Sequence, residues 1–443
     1  MSVSMKQIIS RAELGDRRRN DRLFDLVQWL TRVVTGGAVA PDKAAAWSVA
    51  MAAWRFFNNG SVSLSAAYDV VRAAVRGVLA TSTTCFVAHD VSLLDYTKHN
   101  TKEDRIPIGD HRGKGYEVYT GLVLSERGQS IGPVFQEVRV EGGCESSEPL
   151  VGRERKRGLA KFVGHIEQME KAVRAVMNCL TGLRVVHIAD REFDDLQAVR
   201  AWMAMGVEFI LRAQHMTRRV LVGDAHVSLE EACGGARLRR AGIVERDGVQ
   251  YRRWIGEIHV VLDGLSRRGR HRGENPKRGE PVEVRIVVAE LRARGKETIR
   301  WVLVTNVADA AEWVVQAYVW RWRVERYFYL TKVGFKLETW TQQNGEALAR
   351  KLATASLTAM VIHRLLAMTD EDPEAVDAIE SIALMGGWLG RKRDPIGPIV
   401  LLRGVRSLLN AIVAVQEIGT GRLLELGERV LPGFTERKSA RKT

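Results

Sequence analysis

Cysteine is scarce in this chain of 443 residues, which carries four: Cys85, Cys144, Cys179 and Cys233. No two of them are spaced as C-x-x-C, so the sequence predicts neither a zinc site nor a disulfide framework. Isolated cysteines are typical of a reducing compartment, where thiols stay reduced. We therefore expect a cytoplasmic protein without structural disulfides.

Long apolar segments are also missing. The N-terminal residues are polar and become densely charged from Arg11 to Arg22, so we expect no signal region there. The longest apolar run, residues 352–368, contains His363 and Arg364. A membrane-spanning helix needs about 20 predominantly apolar residues. We therefore expect this run to form a core helix, and we expect no membrane partner.

Acidic residues are too few to balance the basic ones. The chain contains 67 Lys and Arg against 53 Asp and Glu, which gives a formal net charge of +14. Such an excess favours a polyanionic partner, most often nucleic acid. The alternative is a basic protein that has no polyanionic partner.

The predicted elements place helices at both ends of an α/β centre. Residues 10–80 contain three predicted helices with exposed arginines, a pattern that suits a DNA-binding module or any small bundle. Across residues 83–212, three strands precede a helix, a strand, a helix and a strand. Residues 217–300 are predicted to be strand-rich and basic, with a loop at 267–278.

Three acidic residues lie where a shared site is expected. Asp90 follows a predicted strand over 83–89, and Asp190 follows another over 184–189. Functional side chains of α/β sheets gather at the carboxyl ends of strands. With Glu325, these carboxylates suit a hard cation such as Mg²⁺. Two such ions can activate a nucleophilic oxygen and stabilise the leaving one in phosphoryl transfer. Taken singly, an Asp at the end of a strand is usually a cap or turn former.

The predicted helix over 310–333 carries a second pattern around Glu325. Tyr318, Arg321, Glu325 and Lys332 are separated by three, four and seven residues. Helical periodicity places all four within about 60° of arc. A carboxylate flanked by two cations suits a metal ion bound to a phosphate. The alternative is a solvated face of ion pairs, which is usual for a Glu between arginines.

These motifs resemble those of the DDE transposases of the insertion-sequence-four family. The family signature Tyr-x₂-Arg-x₃-Glu-x₆-Lys is matched completely on the predicted helix, and Asp190 lies in the family's Asp-Arg-Glu context. Asp90 lies in a strand followed by Ser92 and Tyr96, as the first family aspartate does. The resemblance extends to four further segments, residues 14–18, 54–58, 209–215 and 386–392.

The resemblance implies an α/β fold with an RNase H-like catalytic core, a mixed sheet flanked by helices. It implies three domains. Residues 1–70 would form a helical DNA-binding domain, and residues 71–368 the catalytic domain with a β-rich insertion at about 217–300. Residues 369–443 would form a helical dimerisation region with a basic tail.

The resemblance also implies cut-and-paste transposition. The steps are a nick, hairpin formation by the freed 3′-hydroxyl, hairpin opening and strand transfer, all with Asp90, Asp190 and Glu325 as catalytic residues and metal ligands. The implied cofactor is Mg²⁺, two ions per site, with Mn²⁺ as a substitute. The implied partners are double-stranded terminal inverted repeats, target DNA and a second copy of the chain. When bound to DNA, the protein would lie at the nucleoid.

Eight side chains are implied to contact DNA: Tyr318, Arg321, Lys332, Trp301, Arg212, Trp322, Arg55 and Arg18. Trp301 would stack on an extruded base, since stacking returns part of the cost of unstacking; its alternative is a core tryptophan. Trp322 faces either the DNA or the core. Arg212 either contacts DNA near the second aspartate or is a solvated strand-end residue.

Two other functions stay open. The first is a non-catalytic DNA-binding protein, an inactive or domesticated derivative of such a transposase. The intact set of Asp90, Asp190 and Glu325 speaks against it. The second is an RNase H-like nuclease that cuts without strand transfer. The complete Tyr, Arg, Glu and Lys pattern speaks against that one, because a simple nuclease needs no hairpin apparatus.

Overall fold

The computed structural model describes residues 5–33, 43–110, 112–162, 164–246, 249–264, 279–371, 373–390 and 395–418. The predicted loop at 267–278 and the predicted basic tail lie outside these residues. So do the last two residues of the segment 386–392.

Four helices form the N-terminal part: α1 (Met5–Ser10), α2 (Arg17–Val33), α3 (Lys43–Phe57) and α4 (Leu64–Val78). The Ser63 side chain accepts the N–H of Ala66 and caps α4. Apolar side chains of these helices, among them Leu23, Phe57 and Val71, share one buried cluster. The prediction of three helices missed α1, whose six residues are too few for a helical period to show.

Thirteen strands form one mixed sheet: β1 (Thr84–Asp95), β2 (Ile106–Ile108), β3 (Gly113–Leu124), β4 (Ser130–Val140), β5 (Gly143–Ser146), β6 (Arg184–Ala189), β7 (Glu208–Arg212), β8 (Arg219–Val222), β9 (Ala225–Ser228), β10 (Arg239–Arg246), β11 (Val249–Leu262), β12 (Val282–Arg292) and β13 (Ile299–Thr305). Their order is β5-β4-β3-β1-β6-β7-β13-β12-β11-β8-β9, with β2 beside β3 and β10 beside β11.

Parallel and antiparallel pairing meet at β1. This strand runs parallel to β6 on one side and antiparallel to β3 on the other, and β6 runs parallel to β7. The central strands β3 and β4 are buried along nearly their whole length, as expected for a sheet covered on both faces. The predicted α/β class is therefore confirmed as a large mixed sheet flanked by helices, compatible with an RNase H-like core.

The remaining helices are α5 (Gly152–Arg157), α6 (His165–Cys179), α7 (Leu196–Ala204), α8 (Leu229–Gly234), α9 (Ala311–Trp320), α10 (Trp322–Tyr329), α11 (Gly345–Glu371), α12 (Pro373–Met385) and α13 (Pro398–Ile418). The predicted long helix over 159–180 was wrong at its start. Helix α6 begins only at His165, because Gly164 precedes it with a φ of 118°. The separate helix α5 ends before residue 159, where Gly158 has a φ of 74°.

The predicted end of the first strand was also wrong. β1 does not stop at Asp90 but continues to Asp95, because β3 keeps pairing with it as far as the Asp95–Gly115 pair. The parallel pairing of β1 with β6, in contrast, ends at the His89–Ala189 pair. Asp90 therefore lies inside a strand, one residue beyond the end of its parallel neighbour.

The strand-rich part of the chain continues the central sheet. The strands predicted over 251–262, 282–291 and 299–304 are confirmed as β11, β12 and β13. Antiparallel pairing of β13 with β7 joins them to the centre of the sheet. The predicted domain boundaries stay predictions.

Helix α11 is the apolar segment that the sequence placed in the core. By length and composition, residues Gly345–Thr369 are able to cross a membrane, so the expectation that this segment is too short was wrong. However, 67% of its most apolar window is buried inside the protein. The helix packs against α2, α4 and β4, which makes it a core helix.

Arg350 on α11 forms hydrogen bonds between this core helix and the N-terminal part of the protein. Its buried guanidinium donates to the carbonyls of Phe57 and Val62 and pairs with Glu346. Arg350→Ala leaves two buried carbonyls without a donor, and we expect the free energy of unfolding to fall by about 2–5 kcal/mol. Urea unfolding followed by circular dichroism measures this loss.

The matched control is Arg364→Ala, an exposed arginine on the same helix. We expect its free energy of unfolding to stay within about 0.5 kcal/mol of the parent. Equal losses in the two variants would show that the contacts of Arg350 contribute no more than an exposed arginine does.

Candidate active site

The register of β1 and β6 brings the two aspartates together. His89 pairs with Ala189 in the parallel ladder, and the next residue on each strand is an aspartate. The Asp190 carboxylate accepts the N–H of Arg191 at 2.7 Å and caps the 3₁₀ turn Arg191–Phe193. The prediction that Asp190 directly follows a strand is confirmed.

The helix that carries Glu325 is interrupted. The prediction of one continuous helix over 310–333 was wrong, because α9 ends at Trp320, α10 begins at Trp322, and a π-helical turn occupies Leu330–Gly334. Arg321 lies at the junction with helical φ and ψ of −49° and −36°. Its side chain therefore keeps nearly the direction that a continuous helix would give it.

Arg321 is the point at which the three acidic residues meet. Its Nη1 lies 3.4 Å from Asp90 Oδ2, and its Nη2 lies 3.4 Å from Asp190 Oδ2 and 2.9 Å from Glu325 Oε1. The arginine side chain is 4% exposed. Three elements distant in sequence therefore bring their carboxylates around one guanidinium.

Asp190 has two further partners. The Tyr318 hydroxyl donates to Asp190 Oδ1 at 3.1 Å, and Arg212 Nη1 lies 3.7 Å from the same oxygen. Burial, with a contribution from the Asp190 charge, raises the pKa of Tyr318 to about 12. The phenol therefore stays protonated at neutral pH and acts as a donor. Tyr318, Arg212 and Arg321 thus all lie beside Asp190.

Asp90 is the most perturbed carboxyl of the group. Its pKa is raised to about 7, mainly by burial and in smaller part by nearby Glu192 and Glu325. The Arg321 charge and a hydrogen bond from the N–H of Val91 oppose that rise. At neutral pH this carboxyl lies near its protonation midpoint, so a cation placed beside it would favour the charged form.

Glu192 is a carboxyl that the list of expected site residues omitted. Burial raises its pKa, and Asp190 and Glu117 raise it further, whereas His165 and Arg321 lower it. Glu192 therefore belongs to the electrostatic surroundings of the aspartates. Its position two residues after Asp190, in the Asp-Arg-Glu context, was the signal that could have found it.

A buried polar chain lies behind Asp90. His89 Nδ1 lies 2.8 Å from the Tyr119 hydroxyl, and its Nε2 lies 2.8 Å from His187 Nδ1. Burial lowers the pKa of both histidines well below the ordinary value. These hydrogen-bonded side chains therefore join β1, β3 and β6 while remaining neutral, and they help to fix the backbone that carries Asp90.

Two residues expected to contact DNA, Lys332 and Trp301, have partners other than Asp90, Asp190 and Glu325. Lys332 Nζ donates to the Leu93 carbonyl at 2.5 Å and lies 3.9 Å from Glu338. Trp301 is 8% exposed, and its ring packs edge-on against Tyr318 at 5.6 Å. Trp301 therefore packs in the core, behind a residue of the site. Its base-stacking role and the phosphate contact of Lys332 stay predictions.

The remaining expected contacts are at the surface. Trp322 is 43% exposed, so it does not belong to the core. Arg55 is exposed in the last turn of α3, and exposed Arg18 pairs with Asp16 at 2.8 Å. Trp47 is also exposed. Trp47 was not among the residues expected to contact DNA, although it lies seven residues before Trp54 and therefore on the same face of α3.

The donor set fits a hard divalent cation in its chemistry. All three acids offer carboxylate oxygens, which are the ligands that Mg²⁺ prefers, and their combined charge exceeds that of the single guanidinium among them. Within the described part of the chain, no group of three or more His, Cys, Asp or Glu is arranged to hold a metal ion. The oxygens surround Arg321 instead.

Comparison with known families identifies the N-terminal helices. Residues 5–62 match the family model described as transposase DNA-binding. The match covers α1, α2 and α3 and precedes Asp90 in the chain. The match supports a transposase that binds DNA. DNA is a polyanion, as the net charge of +14 led us to expect of a partner.

Asp90 makes stability depend on pH in a direction opposite to that of a paired carboxylate. Between its ordinary pKa of 3.8 and about 7, the folded protein holds a proton that the unfolded chain has released. Because only the unfolded chain releases the proton in this window, raising the pH favours unfolding, and the free energy of unfolding falls by up to about 4 kcal/mol. Above the window the loss is complete.

Asp90→Asn removes this titration. In buffer containing a chelator, we expect the free energy of unfolding of the variant, relative to the parent, to rise steadily from pH 3.8 to about 7 and then to level off. Urea unfolding at a series of pH values measures the difference. A difference that stays constant across the window would mean that Asp90 is an ordinary carboxylate in the folded protein.

Proposed function

We propose that this protein is a DDE transposase of the insertion-sequence-four family, similar to the transposase of transposon five. It would perform cut-and-paste transposition at terminal inverted repeats. The observation that carries the proposal is the meeting of Asp90, Asp190 and Glu325 around one guanidinium, in a chain whose N-terminal helices match a transposase DNA-binding family. The order of the central strands, β4-β3-β1-β6-β7, supports an RNase H-like core.

Asp90, Asp190 and Glu325 would hold the divalent cation. When bound there, Mg²⁺ would supply the charge that activates an attacking oxygen and stabilises a leaving one, and Mn²⁺ would substitute for it. Around that position, Tyr318 keeps Asp190 oriented through its hydrogen bond, and Arg212 adds a positive charge on the same side. Burial of Asp90 and Arg321 keeps water from screening these charges.

One such site is sufficient for all the proposed steps. In the first, a water oxygen attacks the scissile phosphorus and a 3′-hydroxyl leaves. That hydroxyl next attacks the opposite strand and forms a hairpin, which water then opens. In the last step the same 3′-hydroxyl attacks target DNA. Each step exchanges one oxygen for another at phosphorus, so the same side chains serve each in turn.

The N-terminal helices would hold the DNA end. Arg55, Trp47 and Trp54 are exposed on α3, inside the matched region. Arginine pairs with phosphate through a bidentate fork, and exposed aromatic rings add contact area. A second copy of the chain would complete the synaptic complex, and the resemblance places that contact on the C-terminal helices.

Cleavage of labelled DNA tests the proposed function. The substrate carries the inverted repeats that flank the gene, and the reaction contains either Mg²⁺ or Ca²⁺. Double-strand breaks that end in hairpins, seen only with Mg²⁺, support the transposase. Binding without any cleavage supports a non-catalytic DNA-binding protein instead. Breaks that yield neither hairpins nor joined products indicate a nuclease that performs no strand transfer.

Asp190→Ala separates catalysis from DNA binding. We expect this variant to lose cleavage entirely and to keep the parent's affinity for the DNA end, because Asp190 lies outside the matched DNA-binding region. Asp224→Ala, which removes an exposed carboxylate from the β8–β9 turn, should cleave as the parent does. Gel analysis of labelled ends reports both properties. Continued cleavage by Asp190→Ala would remove the aspartate from the catalytic set.

Arg55→Ala tests the proposed DNA surface. If Arg55 contacts a phosphate, the slope of log affinity against log salt should become shallower by about 1. The control is Arg155→Ala, which removes an exposed arginine from α5 and should leave the slope unchanged. Fluorescence anisotropy across a salt series measures both slopes. Equal slopes for Arg55→Ala and the parent would exclude that phosphate contact.

A further inference from the structure

Arg321 is a buried cation placed among the expected metal ligands. Its side chain is 4% exposed, and its two terminal nitrogens approach Asp90, Asp190 and Glu325. A divalent ion held by the same carboxylates would need the space and the negative charge that the guanidinium now occupies. Arg321 and such an ion therefore compete for one position.

Two of the three carboxylates hold Arg321 loosely. The contacts to Asp90 and Asp190 are both 3.4 Å, whereas charge-assisted hydrogen bonds are usually about 2.7–2.9 Å long. The contact to Glu325, at 2.9 Å, has that usual length. The buried Nε has no hydrogen-bond partner among the described residues. A buried arginine that is a fixed part of a fold normally satisfies its donors. At Asp90 and Asp190, therefore, charge more than fitted hydrogen bonds holds the guanidinium.

An exposed aromatic ring, that of Trp322, lies beside the Arg321 guanidinium. The guanidinium carbon lies 5.4 Å from the centre of the Trp322 ring, which is 43% exposed. Arginine stacks favourably on tryptophan and binds phosphate through two parallel hydrogen bonds. A DNA phosphate near Trp322 would therefore offer the guanidinium shorter and better directed bonds than Asp90 and Asp190 do.

We propose that Arg321 is an internal counter-ion that closes the carboxylate site until a DNA phosphate draws it away. The inference rests on the function proposed above. Without DNA, Arg321 neutralises part of the charge of the three carboxylates and excludes a divalent cation. With a DNA end bound, the guanidinium pairs with phosphate and the carboxylates become free to hold the metal. By linkage, DNA then raises the affinity for metal, and metal raises the affinity for DNA by the same factor.

Calorimetric titration with Ca²⁺ tests the inference without relying on activity. The parent, Arg321→Gln and Arg326→Gln are each titrated alone and with a blunt duplex that ends in the inverted repeat. Arg326 is an exposed arginine on the same helix, so its variant controls for the loss of one positive charge. Circular dichroism verifies that each variant is folded.

The expected result is a change of about tenfold, within the usual range of coupling between two sites. Without DNA, Arg321→Gln should bind Ca²⁺ about tenfold more tightly than the parent, and DNA should add little to it. The parent and Arg326→Gln should bind Ca²⁺ weakly alone and about tenfold more tightly with DNA. Equal Ca²⁺ affinity of the parent and Arg321→Gln without DNA overturns the inference. So does an equal increase in Ca²⁺ affinity, relative to the parent, in Arg321→Gln and Arg326→Gln.

If Arg321→Gln does not fold, the parent alone tests the inference. DNA should then raise the Ca²⁺ affinity of the parent, and an unchanged Ca²⁺ affinity overturns the inference. Failure of the proposed function looks different. In that case no protein binds Ca²⁺, with or without DNA, and the parent does not cut DNA in Mg²⁺. A parent that cuts DNA but binds Ca²⁺ equally well with and without it overturns the counter-ion role alone.

Discussion

The parallel pairing of β1 with β6 is the constraint on which the candidate site depends. Parallel strands need a long crossover connection, and here it contains β2 to β5 and α6. Once the ladder forms, its register fixes the last pair as His89 and Ala189. The residues that follow on both strands are aspartates, so their approach does not depend on any loop. The helix pair α9 and α10 then needs only to pack at this edge to add Glu325.

Bringing three carboxylates together has an electrostatic cost that the protein offsets in two ways. Burial raises the pKa of Asp90 to about 7, which allows one carboxyl to carry a proton. Arg321 places a positive charge within 3.4 Å of an oxygen of each acid. In a partly buried site such charges interact more strongly than in water. The arrangement that stabilises the fold without DNA is therefore the one that catalysis would have to open.

Much of this could be predicted from the sequence, and the misses have physical causes. Asp190 was found because a short apolar strand ends directly before it. The extent of β1 beyond Asp90 depends on its pairing with β3, which no local pattern contains. The interruption of the helix at Arg321 and the bond from Lys332 to the Leu93 carbonyl also depend on tertiary contacts. Helical spacing placed Lys332 with Arg321, yet the π-helical turn and the β1 backbone direct it elsewhere.

Iron-directed cleavage tests most directly whether Asp90, Asp190 and Glu325 hold one metal. Fe²⁺ takes the place of Mg²⁺ in the protein bound to a DNA end, and added peroxide then cuts the backbone around the ion. The predicted fragments end near Asp90 in β1, after β6 near Asp190 and in α10 near Glu325, and excess Mg²⁺ suppresses all three. Cuts confined to other parts of the chain, or cuts at these places that Mg²⁺ does not suppress, would contradict the shared metal site.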